Sequence, residues 1–306
     1  MQDVSLVYTA CRAGSRPSAR RTTVAGVDGA TRGPHITIVV PTRNRPDRLQ
    51  QCLVRLSAQT ASAEIEIVVV DDGSDDAERV AAAVEATTAA RLVRQSWRGP
   101  GAARNAGVRA ARGGVICLTD DDCEPEPGWA AAMVDAVRAG ADVVAGETVD
   151  AGPRSRFGVA SQVVTNAVTH RARASFAASN NLASTSRLLE ELPFDEQYPN
   201  AAGEDRDWCD RVAAQGYRIV RAPAVVVHRQ QPTLRSYLSR HARYGRGAHR
   251  YHRAEQRRRP FERPGFYAGL VRDGFGEGPA VGVLVVLAQL ATAIGYGREA
   301  LTRKRR

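Results

Sequence analysis

Gly114-Val115-Ile116-Cys117-Leu118-Thr119-Asp120-Asp121-Asp122 decides how this chain is read. Its first six residues form an apolar run of strand length, and three carboxylates follow at once. Carboxylates crowded at the end of a buried strand repel one another, so a positive partner should hold them. A divalent cation such as Mg2+ or Mn2+, shared with phosphate oxygens of a ligand, meets that need. A solvated acidic turn would read the same from these residues alone.

Two further strands point the same way. Glu64-Ile65-Glu66-Ile67-Val68-Val69-Val70 runs into Asp71-Asp72-Gly73-Ser74, and His35-Ile36-Thr37-Ile38-Val39-Val40 runs into Pro41-Thr42-Arg43-Asn44-Arg45-Pro46. Helical patterns lie between them. After Pro46, Leu49, Cys52, Leu53 and Leu56 recur at helical spacing. An Ala-rich helix is expected from about Asp76, a short strand near Arg91-Leu92-Val93, and a helix entered through Gly99-Pro100-Gly101. Strand and helix in alternation predict a parallel sheet with right-handed crossovers. Ligands of such sheets bind beyond the carboxyl ends of the strands, where all three acidic or polar clusters fall.

Five motifs then occur in order: Val39-Val40-Pro41-Thr42-Arg43-Asn44, Val70-Asp71-Asp72-Gly73-Ser74, Gly101-Ala102-Ala103-Arg104-Asn105-Ala106-Gly107, Leu118-Thr119-Asp120-Asp121-Asp122 and Gly203-Glu204-Asp205-Arg206-Asp207-Trp208. Their order and spacing resemble the family 2 glycosyltransferases, inverting enzymes of the GT-A fold that use nucleotide-activated sugars. The resemblance covers roughly residues 35–230. It implies an α/β fold with a mostly parallel, Rossmann-like sheet flanked by helices, a divalent Mg2+ or Mn2+ cofactor, and a UDP-, GDP- or TDP-linked sugar donor. The acceptor would be a sugar, a lipid-linked molecule or a small molecule, in cell-envelope, polysaccharide or glycoconjugate synthesis.

Residue by residue, the resemblance implies that Pro41, Thr42, Arg43, Asp71 and Asp72 hold the base and ribose, and that Asp120 and Asp122 form a DxD pair. Asp122 would ligate the metal, with His228, at the end of the run Ala224-Val225-Val226-Val227, as a second ligand. Asp121 joins the nucleotide-sugar contacts, although strand alternation turns it to the other face. Arg104 would add charge to a helix N-terminus that already favours phosphate. The Glu204-Asp205 pair would supply the general base, with Asp205 taking the acceptor proton, Glu204 orienting it and Asp207 in reserve. Trp208, Val212 and Ala213 are expected on the buried side of that helix. Asn180, Asn181 and Trp208 are assigned to the acceptor and sugar pocket, alongside Phe194-Asp195-Glu196.

Two other functions compete. A nucleotidyltransferase also uses acidic metal ligands, but would place a Gly-rich phosphate loop where Pro41-Thr42-Arg43-Asn44 stands. A non-catalytic sugar-nucleotide binder would have no reason to keep both the triplet and the Glu-Asp pair.

Composition sets the outer limits. The chain has 306 residues, enough for one large α/β domain and an appendage. The division expected is a lead-in at residues 1–34, disordered by composition, a GT-A domain at 35–232 and a basic helical tail at 233–306. No hydrophobic leader stretch occurs in residues 1–34, so no signal peptide is expected. Five scattered cysteines without a CxxC pair argue against a disulfide framework or zinc site and for a reducing, cytoplasmic compartment. Residues 235–306 carry 16 Arg/Lys against 5 Asp/Glu, which leaves the rest nearly neutral. No nucleic-acid module accompanies that charge, so no nucleic-acid partner is expected. Tyr237, Tyr244 and Tyr251 are spaced as on a helix face. An apolar stretch at 280–294 falls short of the roughly 20 residues a spanning helix needs. With Arg303-Lys304-Arg305-Arg306 behind it, the tail predicts peripheral contact with the inner face of a membrane.

Overall fold

β-branched runs buried on both faces form the centre of the sheet, as expected of parallel strands covered by helices on each side. A computed structural model of the chain describes residues 36–59, 65–150, 155–172, 176–198, 202–228, 233–254 and 262–303. The first half reads β1 (Ile36–Thr42), α1 (Pro46–Ser57), β2 (Ile65–Asp72), α2 (Ala77–Glu85), β3 (Ala90–Gln95), α3 (Pro100–Ala110), β4 (Val115–Thr119) and β5 (Cys123–Pro125). It continues with α4 (Trp129–Arg138), β6 (Val143–Asp150), α5 (Arg156–Ala172), β7 (Asn181–Thr185), α6 (Ser186–Glu191), α7 (Glu204–Ala214) and β8 (Ile219–His228). Three helices close the chain: α8 (Leu234–Ala254), α9 (Pro264–Gly276) and α10 (Pro279–Arg303).

The eight strands are ordered β3-β2-β1-β4-β7-β6-β8-β5. β1 runs parallel to both β2 and β4, with Val39 opposite Val68 on one side and Leu118 on the other. That register brings Pro41-Thr42, Asp71-Asp72 and the Asp120 triplet to one edge. β7 is antiparallel to β4, and β6 and β8 are parallel partners beyond it. β5 folds back antiparallel on β8, so Cys123 lies opposite His228. The fold is the mostly parallel α/β arrangement expected.

One core fills the face under α1, α2 and α4, with Leu49, Leu53, Val69, Trp129 and Met133 among its members. The other lies under α3, α6 and α7, with Val39, Leu118, Phe194 and Trp208. Ala213, expected on the buried side of α7, is exposed, because Cys209 and Val212 complete that face instead.

The tail builds a third core with α5, through Ala160, Tyr237, Leu270, Leu284 and Val285. Tyr237 and Tyr251 face inward on α8, whereas Tyr244 is exposed. The apolar helix is longer than the 280–294 stretch: α10 continues to Arg303. Gly295 does not stop it, because it sits at the crossing with α8. A Cβ there would lie 1.9 Å from the Ala242 carbonyl oxygen, and one on Gly245 equally close to that of Thr292. The glycines let two helices touch backbone to backbone. The lead-in at 1–34 and the last basic residues, 304–306, lie outside the described residues.

Candidate active site

At the end of β4 two arginines, Arg104 and Arg45, serve the three aspartates. Asp120 Oδ1 accepts from Arg104 Nη2 at 2.7 Å. Asp121 is buried and accepts from the Thr42 hydroxyl at 2.8 Å and from Arg45 Nη1 at 3.1 Å. Burial pushes its carboxyl up to about 7, against the pull of Arg45. Asp122 meets Arg45 Nη1 at 3.0 Å and His228 Nε2 at 3.2 Å. Asp121 thus points towards β1 and α1 and shares Arg45 Nη1 with Asp122, although strand alternation would separate the two.

Asp122, Cys123 and His228 bring their ligand atoms within 4.8 Å of one another. Carboxylate oxygen and imidazole nitrogen suit a divalent first-row cation. Burial and the neighbouring aspartates raise the Cys123 thiol well above its ordinary range, so it stays neutral unless a metal displaces its proton. Asp122 and His228 therefore fit the expected metal as its protein ligands. Arg45 went unassigned in the sequence reading. Its place directly before Pro46, at the N-cap of α1, is the signal that puts it beside the triplet.

The nucleotide-side residues divide. Arg43 donates from Nε to the Gly73 carbonyl at 3.3 Å and lies over the ring of half-exposed Trp97 at 5.0 Å. Trp97 was also missed, because the Ser96-Trp97-Arg98 loop carries no motif. Pro41 lies opposite Val70 in the β1–β2 ladder. Asp71 accepts from Ser74 N at 3.0 Å and shapes its own turn. Asp72 is filled by three donors: Gln95 Nε2 at 2.7 Å, Arg98 N at 2.9 Å and Gly99 N at 2.8 Å. It holds the loop that enters α3.

Arg104 corrects its expected role. It is 3% exposed and bridges Asp120 to Glu204, with Nη1 donating to Glu204 Oε1 at 3.1 Å. Its guanidinium is therefore committed to two carboxylates instead of being presented to a phosphate.

α7 begins at Gly203, whose φ of 99° is the left-handed conformation that glycine tolerates. Its first turn holds three carboxylates with different fates. Glu204 is sealed, taken by Arg104 and by Ala202 N at 2.8 Å. Asp207 pairs with Arg211 one turn on, at 2.9 Å. Among the described residues Asp205 has one hydrogen bond, from Arg206 N at 2.8 Å. Burial and the adjacent Glu204 push its carboxyl up to about 7, and Arg104 pulls the other way.

Two pocket assignments do not hold. Asn181 is 1% exposed, accepts from Trp129 Nε1 at 2.8 Å and donates to the carbonyls of Glu147 and Ala224. It satisfies buried backbone where β6, β7 and β8 meet. Trp208 is fully buried, stacks on Phe194 with ring centroids 5.2 Å apart, and donates to the Leu192 carbonyl. Its hydrophobic bulk anchors α7. Asn180 stays near the site, with Thr148 Oγ1 at 3.3 Å and Cys123 Sγ at 3.7 Å.

Comparison with known proteins agrees with the fold. Residues 37–187 match the family described as Glycosyl transferase family 2. Glycosyltransferase AglE of Haloferax volcanii is 26% identical over 224 residues, which cover 70% of this chain and 73% of that protein. The succinoglycan biosynthesis protein ExoO of Rhizobium meliloti is 35% identical over 118 residues, 38% of this chain but only 34% of ExoO. The mannosyltransferase PcManGT of Pyrobaculum calidifontis, solved with GDP-Man and Mn2+, shares the fold at a TM-score of 0.57 and 22% identity. That match covers 85% of this chain and 74% of the other. The chain belongs to glycosyltransferase family 2.

Proposed function

We propose that this protein is a metal-dependent, inverting glycosyltransferase that moves a sugar from a nucleotide-diphosphate donor to an acceptor hydroxyl. The observation that carries the proposal is the pairing pattern of the first turn of α7. Glu204 and Asp207 are neutralised by arginines, while Asp205 keeps an oxygen uncommitted and a proton affinity near neutral. Such a carboxylate can take a proton at physiological pH. In the reaction, Asp205 takes the acceptor hydroxyl's proton as the acceptor oxygen bonds to the anomeric carbon. The bond from that carbon to the diphosphate breaks, and the nucleoside diphosphate leaves from the opposite face. One displacement inverts the configuration. Asp122 and His228 would hold a divalent cation, which offsets charge on the departing diphosphate. Arg43, Thr42 and the Trp97 ring lie on the edge where the nucleoside would rest.

The family match weighs against a nucleotidyltransferase, and the uncommitted Asp205 against a non-catalytic binder. PcManGT carries GDP-Man and Mn2+, so GDP-linked sugars lead the donors to test, with UDP- and TDP-sugars beside them. One donor should raise the thermal midpoint only with Mn2+ or Mg2+, and should be slowly hydrolysed. A ligand at 100 times its dissociation constant adds about 2.7 kcal/mol. No shift and no hydrolysis with any donor would reject the proposal.

The acceptor side suggests a membrane. α10 is long and apolar enough to cross one, with a mean hydropathy of 1.8 and a third of that window buried. Its inner face packs on the protein, whereas Val283, Leu290, Ile294 and Leu301 are exposed. We propose that this outer face and the basic tail rest on the cytoplasmic leaflet, near a lipid-linked acceptor. Full-length protein should co-sediment with anionic vesicles at low salt, and Leu290→Glu with Ile294→Glu should release it. Truncation is a poor test, because Tyr237 donates to the Leu284 carbonyl and α10 completes the third core.

A further inference from the structure

The motif Gly101-Ala102-Ala103-Arg104-Asn105-Ala106-Gly107 fastens four neighbours with four of its residues. A Cβ on Gly107 would lie 2.2 Å from Val39 Cγ1, so α3 presses directly on β1. On Gly101 it would come within 3.2 Å of the Asp195 carbonyl oxygen. Asn105 clamps Phe194 both ways, donating to its carbonyl at 2.8 Å and accepting from its N–H at 2.9 Å. Phe194 in turn stacks on Trp208 of α7. Between these supports, Arg104 joins Asp120 at the end of β4 to Glu204 in the first turn of α7, residues 16 and 100 positions away.

We propose that Arg104 is a positioning residue, setting the spacing between the carboxylates that face the donor and the helix turn that carries Asp205. The inference rests on the reading of Asp205 as base. Asp120 has a side chain 32% exposed, while Glu204 is sealed at 3%. Arg104 is itself sealed, and its Nε has no hydrogen-bond partner among the described residues. The guanidinium is therefore held by its two ends and by the Phe194 ring at 5.9 Å. A planar fork can serve two carboxylates at once, whereas an ammonium is a single point charge. In-line transfer needs base and donor in register, and a misplacement of about 1 Å can cost about 10²-fold in rate.

Arg104→Lys and the paired Arg104→Gln/Glu204→Gln variant separate positioning from plain stability. Hydrolysis of the nucleotide sugar that the wild type accepts is measured on the full chain, together with thermal midpoints. Arg104→Lys should keep donor KM within about threefold while kcat falls about 10²-fold. The paired variant removes both members of a buried ion pair, so it should regain thermal midpoint over Arg104→Gln alone without regaining kcat. A raised KM at unchanged kcat would make Arg104 a donor ligand and overturn the inference. Recovery of kcat along with the midpoint would make its role purely structural. A wild type inert toward every donor would sink this inference and the parent reading together. An active wild type with an equally active Arg104→Lys would sink this inference alone.

Discussion

The end of β4 and the first turn of α7 each gather three carboxylates, and the chain treats them differently. At β4 every member meets an arginine, Arg104 for Asp120 and Arg45 for Asp121 and Asp122, and His228 lies beside Asp122 as well. At α7 two are neutralised and, among the described residues, Asp205 is left with a single backbone amide as hydrogen-bond partner. Clustered charge with a shared cation is an arrangement for holding something positive. One uncommitted carboxylate beside two satisfied ones is an arrangement for taking a proton. Burial raises Asp121 and Asp205 alike to about 7, so proton affinity alone does not distinguish the two sites. Their hydrogen-bond partners do.

Asp122→Ala should break the β4 half most completely. Calorimetry with Mn2+ and the preferred nucleotide should show metal-dependent affinity falling by more than the roughly 10–100-fold typical of outer-shell partners. Unchanged Mn2+ dependence would remove Asp122 from the metal site. Asp205→Asn should leave donor affinity intact and lower turnover by about 10²-fold or more, as measured by steady-state kinetics. In the wild type the base works only when ionised, so turnover should rise with pH through about 7. The stability effect has the opposite sign. A carboxyl whose folded pKa lies above its unfolded value stabilises the fold when protonated, and that contribution is lost as pH rises through about 7. Asp205→Asn should therefore flatten the thermal midpoint between about pH 4 and about pH 7. Asp207→Asn sharpens the contrast with the smallest effect. It loses an ion pair on a partly exposed arginine, so stability should drop by about 1 kcal/mol or less and turnover should stay within a few fold. A large kinetic loss there would move the base.

The sheet was legible because its strands carry their own signal. Ile36, Ile65 and Val115 open runs whose length and branching leave little else for them to be, and their polar ends fall on one edge whatever the details of packing. α10 was legible only in part. The apolar stretch at 280–294 marked only its first part, and the close crossing of Gly295 with Ala242 on α8 belongs to the packing. Trp208 and Asn181 were misassigned because a residue beside a motif looks like part of the site. Trp208 points to the core side of α7, and Asn181 meets strands whose packing no local pattern reveals.

Residue order alone determined the strand–helix alternation, the edge that carries the carboxylates, and the set of acids from which metal ligand and base are drawn. These follow from local periodicity and from a topology rule that needs no knowledge of distant contacts. Tertiary structure decided which acid is free, which arginine is committed and which aromatic is core. Those properties depend on pairs such as Arg104 with Glu204, 100 residues apart. A carboxylate's proton affinity is set by the charges and the burial around it, and both are created only when the chain closes on itself.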